Sequence, residues 1–276
     1  MLLLSVILHG LLGLVAGSFL NVVILRHGTG MGLAGRSACA SCTHALSPVE
    51  LIPVFSWMIL NGRCKICGSR ISVQYPLVEA LTALLFAGVA SLALPIAEHV
   101  LALAIVSLLI AIAVYDILHT VIPDSWALLL FALGLIYVLT TAPAVGVLNF
   151  ILLNVGWALL TALPLAALWF ISGGRWIGLG DAKLMAGLAL FLGPLPAMQA
   201  LLGGFIIGSI VSVFILLPFA SYAEFIRKVM HRGALRVSRR RFTMKSEVAF
   251  GPFLIASALL VWFAYALGYG IPIFIL

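Results

Sequence analysis

Long apolar runs occupy almost the whole chain, broken by short clusters of glycine, proline and charge, and none of them alternates polar and apolar at every second position. About 20 apolar residues is the length a helix needs to cross a hydrocarbon core, whereas barrel strands show the two-residue alternation. Backbone polar groups find no water inside lipid, so helices are the spanning form that remains. Eight segments are predicted, at 2–25, 76–94, 99–118, 125–142, 147–171, 182–195, 198–222 and 248–270. The sixth is short and bounded by glycine and proline, which points to a helix tilted or buried among its neighbours. The first lacks a basic start and continues to Arg26, so it reads as a retained helix and not a cleaved signal. The predicted architecture is an all-α polytopic membrane protein of about eight transmembrane helices. It has a first transmembrane helix over 1–25, a small cytosolic insert over 26–75, and a transmembrane bundle over 76–276 that carries a basic cytosolic loop at 223–247.

Composition agrees with that pattern. Of 276 residues, 64% are hydrophobic and 8% charged, against about 25% charged in soluble domains. With the N-terminus outside, all 15 Lys and Arg fall in the inward-facing regions 26–75, 119–124, 172–183 and 223–247. By the positive-inside rule both chain termini then lie outside the cytoplasm. The net charge of +7 is concentrated around Arg239-Arg240-Arg241, which points to anionic lipid at the basic loop and not to nucleic acid.

The insert holds all four cysteines, as Cys39-Ala-Ser-Cys42 and Cys64-Lys-Ile-Cys67. Two such knuckles close one tetrahedral site of soft thiolates, suited to structural zinc, and a reducing cytosol disfavours disulfides there. His44 reads as a loop histidine and not a fifth ligand. Pro48 to Trp57 is too interrupted by proline to span, and its Phe55 and Trp57 suit a headgroup interface, so it reads as an interfacial lid or docking surface.

Two aspartates stand where lipid least tolerates them. Asp116 lies near the inner end of the third segment and Asp181 follows Gly178-Leu179-Gly180 at the start of the sixth. A charge at the bilayer centre costs about 2.5 to 3.5 kcal/mol on insertion scales, so intramembrane acids mark function. Two neighbouring carboxylates share one proton over a useful pH range, so that one takes a proton from water while the other serves the scissile carbonyl, which amounts to peptide hydrolysis. Taken singly, Asp116 has the alternative of reaching into the headgroups and Asp181 that of an N-cap. Asp124, after Pro123, reads as a cap with a supporting role, and Lys183 as a cation that stabilises negative charge or reaches the membrane surface. Glu79 is placed in the first turn of the second segment and joins the list of supporting or substrate-binding residues with Gly178 and Gly180.

In their order these motifs resemble the type IV prepilin peptidases, intramembrane aspartic proteases of the Gly-x-Gly-Asp kind. The resemblance runs from Gly17 to about Ala258, through Gly17-Ser18-Phe19-Leu20-Asn21, the two knuckles, Gly62-Arg63-Cys64, Tyr75-Pro76-Leu77-Val78-Glu79, Asp116 with Pro123-Asp124, Gly178-Leu179-Gly180-Asp181-Ala182-Lys183, and Phe250-Gly251-Pro252. It implies that Asp116 and Asp181 are the catalytic pair, facing the cytoplasm of a bacterial inner membrane. It implies prepilin and type II secretion pseudopilin precursors as substrates, cut after a glycine that ends a short basic leader. It also implies methylation of the new N-terminus with S-adenosylmethionine in the cysteine region. Two rival readings from the residues are a proton-coupled membrane transporter, for which no internal repeat speaks, and a methyltransferase without protease activity.

Overall fold

The computed structural model describes residues 2–216 and 249–269. The basic loop expected at 223–247, with Arg239 to Arg241, lies outside the described residues. Among the described residues the chain is helical, with eight apolar helices and one short one. In order these are α1 (Leu2–Arg26), α2 (Phe55–Ile59), α3 (Gln74–Ala90), α4 (Ile96–His119), α5 (Asp124–Thr141), α6 (Val147–Ser172), α7 (Leu179–Leu192), α8 (Pro194–Val211), which continues as a π-helical turn (Ser212–Leu216), and α9 (Gly251–Ala266). Each apolar helix overlaps its predicted segment, with bounds that differ by a few residues. Five stretches, α1, α4, α5, α6 and Pro194–Phe214, are long and apolar enough to cross a membrane, and α3 and α9 are shorter apolar helices. The fold is that of a polytopic, all-helical membrane protein.

Two compact units divide the chain. One takes its described residues from Met1–Ser91 and Ser212–Ser246, the other from Leu92–Val211 and Glu247–Leu276. In the first unit α1 lies along α3 at backbone contact. A Cβ added at Gly13 would stand 2.6 Å from the Ala83 Cα, and one at Gly17 would stand 2.7 Å from the Glu79 Cα. In membranes such small residues let helices approach until dispersion contacts and buried polar bonds hold them. Asn21, 1% exposed, supplies one such bond by donating to the Tyr75 carbonyl at 3.2 Å.

α7 is the buried element of the second unit. Its residues from Asp181 to Phe191 are buried, Lys183 apart, and it packs on α5, α6 and α8. A Cβ at Gly187 would meet the Leu130 side chain of α5 at 2.8 Å, so the absent side chain sets how closely α5 and α7 approach. Its 14 residues are too few to cross about 30 Å of hydrocarbon unaided, and burial on all sides makes spanning unnecessary. α9 packs on α8 and α4. This brings the start of α9, the end of α4 and the start of α7 to one end of the unit.

Candidate functional site

Asp116 sits one turn before the end of α4. That end is fixed by Thr120 in the left-handed conformation, φ 54°, whose amide donates to the Asp116 carbonyl at 2.7 Å. Pro123 then precedes α5 as its N-cap. The Asp116 side chain is 4% exposed, and its Oδ2 accepts the amide of Gly251 at 3.1 Å. Gly251 opens α9, where the first amides have no partner within the helix, so an orphan donor at a positive helix end meets a carboxyl.

Asp181 is built the same way. Gly178 caps α7, and Asp181, three residues on, accepts the Gly178 amide on Oδ2 at 3.2 Å while remaining 7% exposed. The two carboxyls are near enough for their charges to repel when both are ionised. Ile122 lies between their supports. A Cβ at Gly180 would stand 3.0 Å from its Cβ, and one at Gly251 would stand 3.2 Å from its Cδ1 and 2.6 Å from Asp116 Oδ2. Two buried acids are thus brought together from different helices, each held by a glycine amide.

The other residues singled out in the sequence are placed as follows. Asp124 makes no cap bond. It is the first residue of α5 and accepts Lys183 Nζ of α7 at 2.7 Å, joining two helices that flank the acids. Both side chains are well exposed, 77% for Asp124 and 42% for Lys183, so the pair is a surface ion pair and contributes little, about 0–1 kcal/mol. Glu79 belongs to the other unit and lies beyond the first turn of α3, where the Val54 amide donates to it at 2.7 Å. Gly251 and Ile122 were not among the predicted site residues. The only sequence signal for Gly251 is a glycine at a helix start before proline, which is common, and Ile122 looks like any apolar residue.

The four cysteines converge in the first unit. Their sulfurs lie within 4.8 Å of one another, with Cys39–Cys67 at 3.8 Å and Cys42–Cys64 at 3.9 Å. A tetrahedral ion with bonds of about 2.3 Å sets its sulfurs about 3.8 Å apart, a separation that these two pairs already have. One turn is used twice. Cys39 N donates to His44 O at 2.9 Å and Thr43 N to Cys39 O at 2.9 Å, while Cys64 N donates to Ser69 O at 2.8 Å and Gly68 N to Cys64 O at 3.0 Å. The fifth residue of each turn is left-handed, Thr43 at φ 57° and Gly68 at φ 67°. The Ser69 hydroxyl, 3.5 Å from Cys39 Sγ and 3.1 Å from Cys67 Sγ, draws both thiols below their ordinary range, Cys39 to about 6. Despite the His44 amide, burial and the three neighbouring sulfurs push Cys42 up to about 12, so four thiolates require a cation among them. His44 turns to Glu50 at 3.4 Å, not to the sulfurs.

Fold and site together define a polytopic membrane protein with a buried aspartate pair and a cysteine knuckle insert. Comparison with known proteins gives the family. Residues 11–93 match the Bacterial Peptidase A24 N-terminal domain and residues 103–213 match the Type IV leader peptidase family. A Myxococcus xanthus protein named Prepilin leader peptidase/N-methyltransferase is 37% identical over 75% of this chain and 62% of its own length. One of the same name from Burkholderia pseudomallei is 30% identical over 96% of this chain and 85% of its own. The Type 4 prepilin-like proteins leader peptide-processing enzyme of Escherichia coli is 38% identical over 66% of this chain and 75% of its own. No solved structure matches the chain. The chain belongs to the type IV leader peptidase family.

Proposed function

We propose that Asp116 and Asp181 are the catalytic pair of a prepilin leader peptidase. The observation that carries this is the meeting of two buried carboxyls, each held by a glycine amide, at one end of the second unit. With one proton between them, the ionised acid takes a proton from water and its hydroxyl adds to the scissile carbonyl carbon. The protonated acid gives its proton to the carbonyl oxygen. As the tetrahedral species collapses, the C–N bond breaks, the amine leaves with the proton the pair holds, and a hydroxyl of the gem-diol gives a proton back to the pair. Neither step needs a covalent enzyme intermediate. Substrates are pilin and type II secretion pseudopilin precursors, cut after the glycine that ends a basic leader. The distribution of basic residues supports a position of both acids toward the cytoplasmic face of the inner membrane with both termini outside, and a basic leader would stay on that same face. The loop at 223–247 is assigned to anionic lipid, and no nucleic-acid partner is assigned.

The insert is assigned structural zinc, held by Cys39, Cys42, Cys64 and Cys67. With no open position the ion would brace the two turns. The relatives' names carry a second activity, N-methyltransferase, which is assigned here to the new N-terminus. S-adenosylmethionine would supply the electrophilic methyl group.

The test is cleavage of a prepilin precursor in lipid vesicles by the wild type, Asp116→Asn and Asp181→Asn, with product masses recorded with and without S-adenosylmethionine. Leader loss confined to the wild type supports the pair, and cleavage surviving in both variants refutes it. An added methyl mass supports the second activity.

A further inference from the structure

The insert turns a row of large apolar side chains outward. Val49, Ile52, Phe55, Met58 and Ile59 are 69%, 46%, 57%, 61% and 76% exposed. The opposite side of α2 is packed: a Cβ at Gly62 would stand 2.8 Å from the Trp57 ring, and Trp57 Nε1 donates to Ile71 O at 3.3 Å. The apolar row is therefore the outer face of an ordered turn. Large apolar side chains left exposed this closely together along the chain mark an interaction surface.

A partly buried bond sets the depth of this face. Phe55 N donates to Pro53 O at 2.6 Å across Val54, which lies at φ 62° and ψ −53°. This is the rare form of γ-turn, held here by a β-branched residue at a cost on the order of 1–3 kcal/mol. The Val54 amide donates to Glu79 Oε2 at 2.7 Å. Glu79 stands five residues into α3, hence about 7–8 Å along its axis. The whole of α3 is about 25 Å long, short of the about 30 Å of a hydrocarbon core. Such a helix keeps its first turns within the lipid boundary, and Val54 is tied to that level. Exposed Arg63, Lys65 and Arg70 follow α2, and Arg63 and Arg70 share a cavity wall with Trp57. Cations beside an apolar face match anionic headgroups above acyl chains.

We propose that residues 48–59 are a membrane-inserted element, its apolar row entering the leaflet on the insert's side and its strained turn clamped at that depth by Glu79. The proposal rests on α1 and α3 spanning the membrane and not on the catalytic assignment. Two methionines of the same unit provide the test, since Met58 is 61% and Met31 60% exposed in the protein itself. Full-length protein in phosphatidylcholine–phosphatidylglycerol vesicles, without precursor, is treated with dilute hydrogen peroxide, which reaches both membrane faces. Sulfoxide at each methionine is then read by peptide mass spectrometry. Met58 should oxidise about five-fold or more slowly than Met31, and Ile59→Asp should raise it to the Met31 rate. Equal rates in the wild type would overturn the proposal, as would slow Met58 oxidation that Ile59→Asp leaves unchanged. Protection of Met58 that appears only when precursor is added would make the face a substrate-docking surface and would overturn it too.

Discussion

Gly251→Ala separates the position of Asp116 from the stability of the fold. The added methyl would lie 2.6 Å from Asp116 Oδ2 and 3.2 Å from Ile122 Cδ1. A carbon–oxygen contact that close leaves an overlap of more than about half an ångström, judged against the ordinary separation of non-bonded atoms. The nearest atom is the tip of a side chain, so the carboxyl swings aside and the helices need not move. An off-rotamer turn of about 30° costs about 0.5–1.5 kcal/mol, and weakening a bond to a charged group about 1.5–3 kcal/mol. Together these imply about 2–4.5 kcal/mol, most of it in the placement of the acid, where a misplacement of about 1 Å already lowers rates about 100-fold. We expect cleavage kcat/KM to fall about 100-fold in vesicles while the melting temperature moves by only a few degrees. Gly156→Ala, at a helical position with nothing within 4 Å, is the control and should cleave as wild type. Near-wild-type cleavage by Gly251→Ala would refute the claim that the α9 amide positions Asp116.

Further outcomes follow from the same structure. Gly17→Leu forces a side chain into the Glu79 backbone and the Thr82 side chain and should lower the yield of folded protein, read by size-exclusion recovery in detergent. Thr43→Gly releases the left-handed strain of the first knuckle and should raise thermal stability by about 1 kcal/mol at most, without changing metal content. Cys64→Ser should abolish stoichiometric zinc by elemental analysis and make residues 36–70 more protease-sensitive while cleavage persists, because the knuckles and the aspartates belong to different compact units. Lys183→Met should change kcat/KM less than about five-fold, as expected of an exposed ion pair with Asp124.

The helical fold was legible because lipid imposes a length and a composition that can be counted along the chain. Helix ends were less so: the gap expected between the sixth and seventh segments closes to Gly193 alone, since α7 and α8 are divided by a glycine at φ 83° and not by a loop. Asp116 and Asp181 stood out as acids in apolar surroundings. Their pairing was expected from the resemblance, but composition and spacing alone do not give the contact, which depends on α4, α7 and α9 meeting at one end, between residues far apart in sequence. Gly251 illustrates the limit: its contribution is a backbone amide, which every residue but proline has, and only packing shows where that amide points. The side chain of Asp124 misled for the opposite reason. A residue opening a helix after proline suits a cap, but α7 brings Lys183 within 2.7 Å and a charge-assisted bond takes its place.

The two supports of the acid pair answer one physical problem. A carboxyl shielded from water loses solvation that only donors can replace, and in lipid most backbone donors are already committed within helices. Helix N-termini are the exception, since their first amides have no internal acceptor and carry a partial positive charge. Asp181 uses the start of its own helix through Gly178, while Asp116, near the C-terminal end of α4 where the helix dipole opposes an acid, draws instead on the start of α9. That difference explains the glycine at 251. A donor for Asp181 comes with its own helix, but the donor for Asp116 has to be delivered by another helix at van der Waals distance, with Ile122 filling the remaining space between the two supports. A side chain at position 251 would occupy the place of the carboxyl that the amide is there to hold.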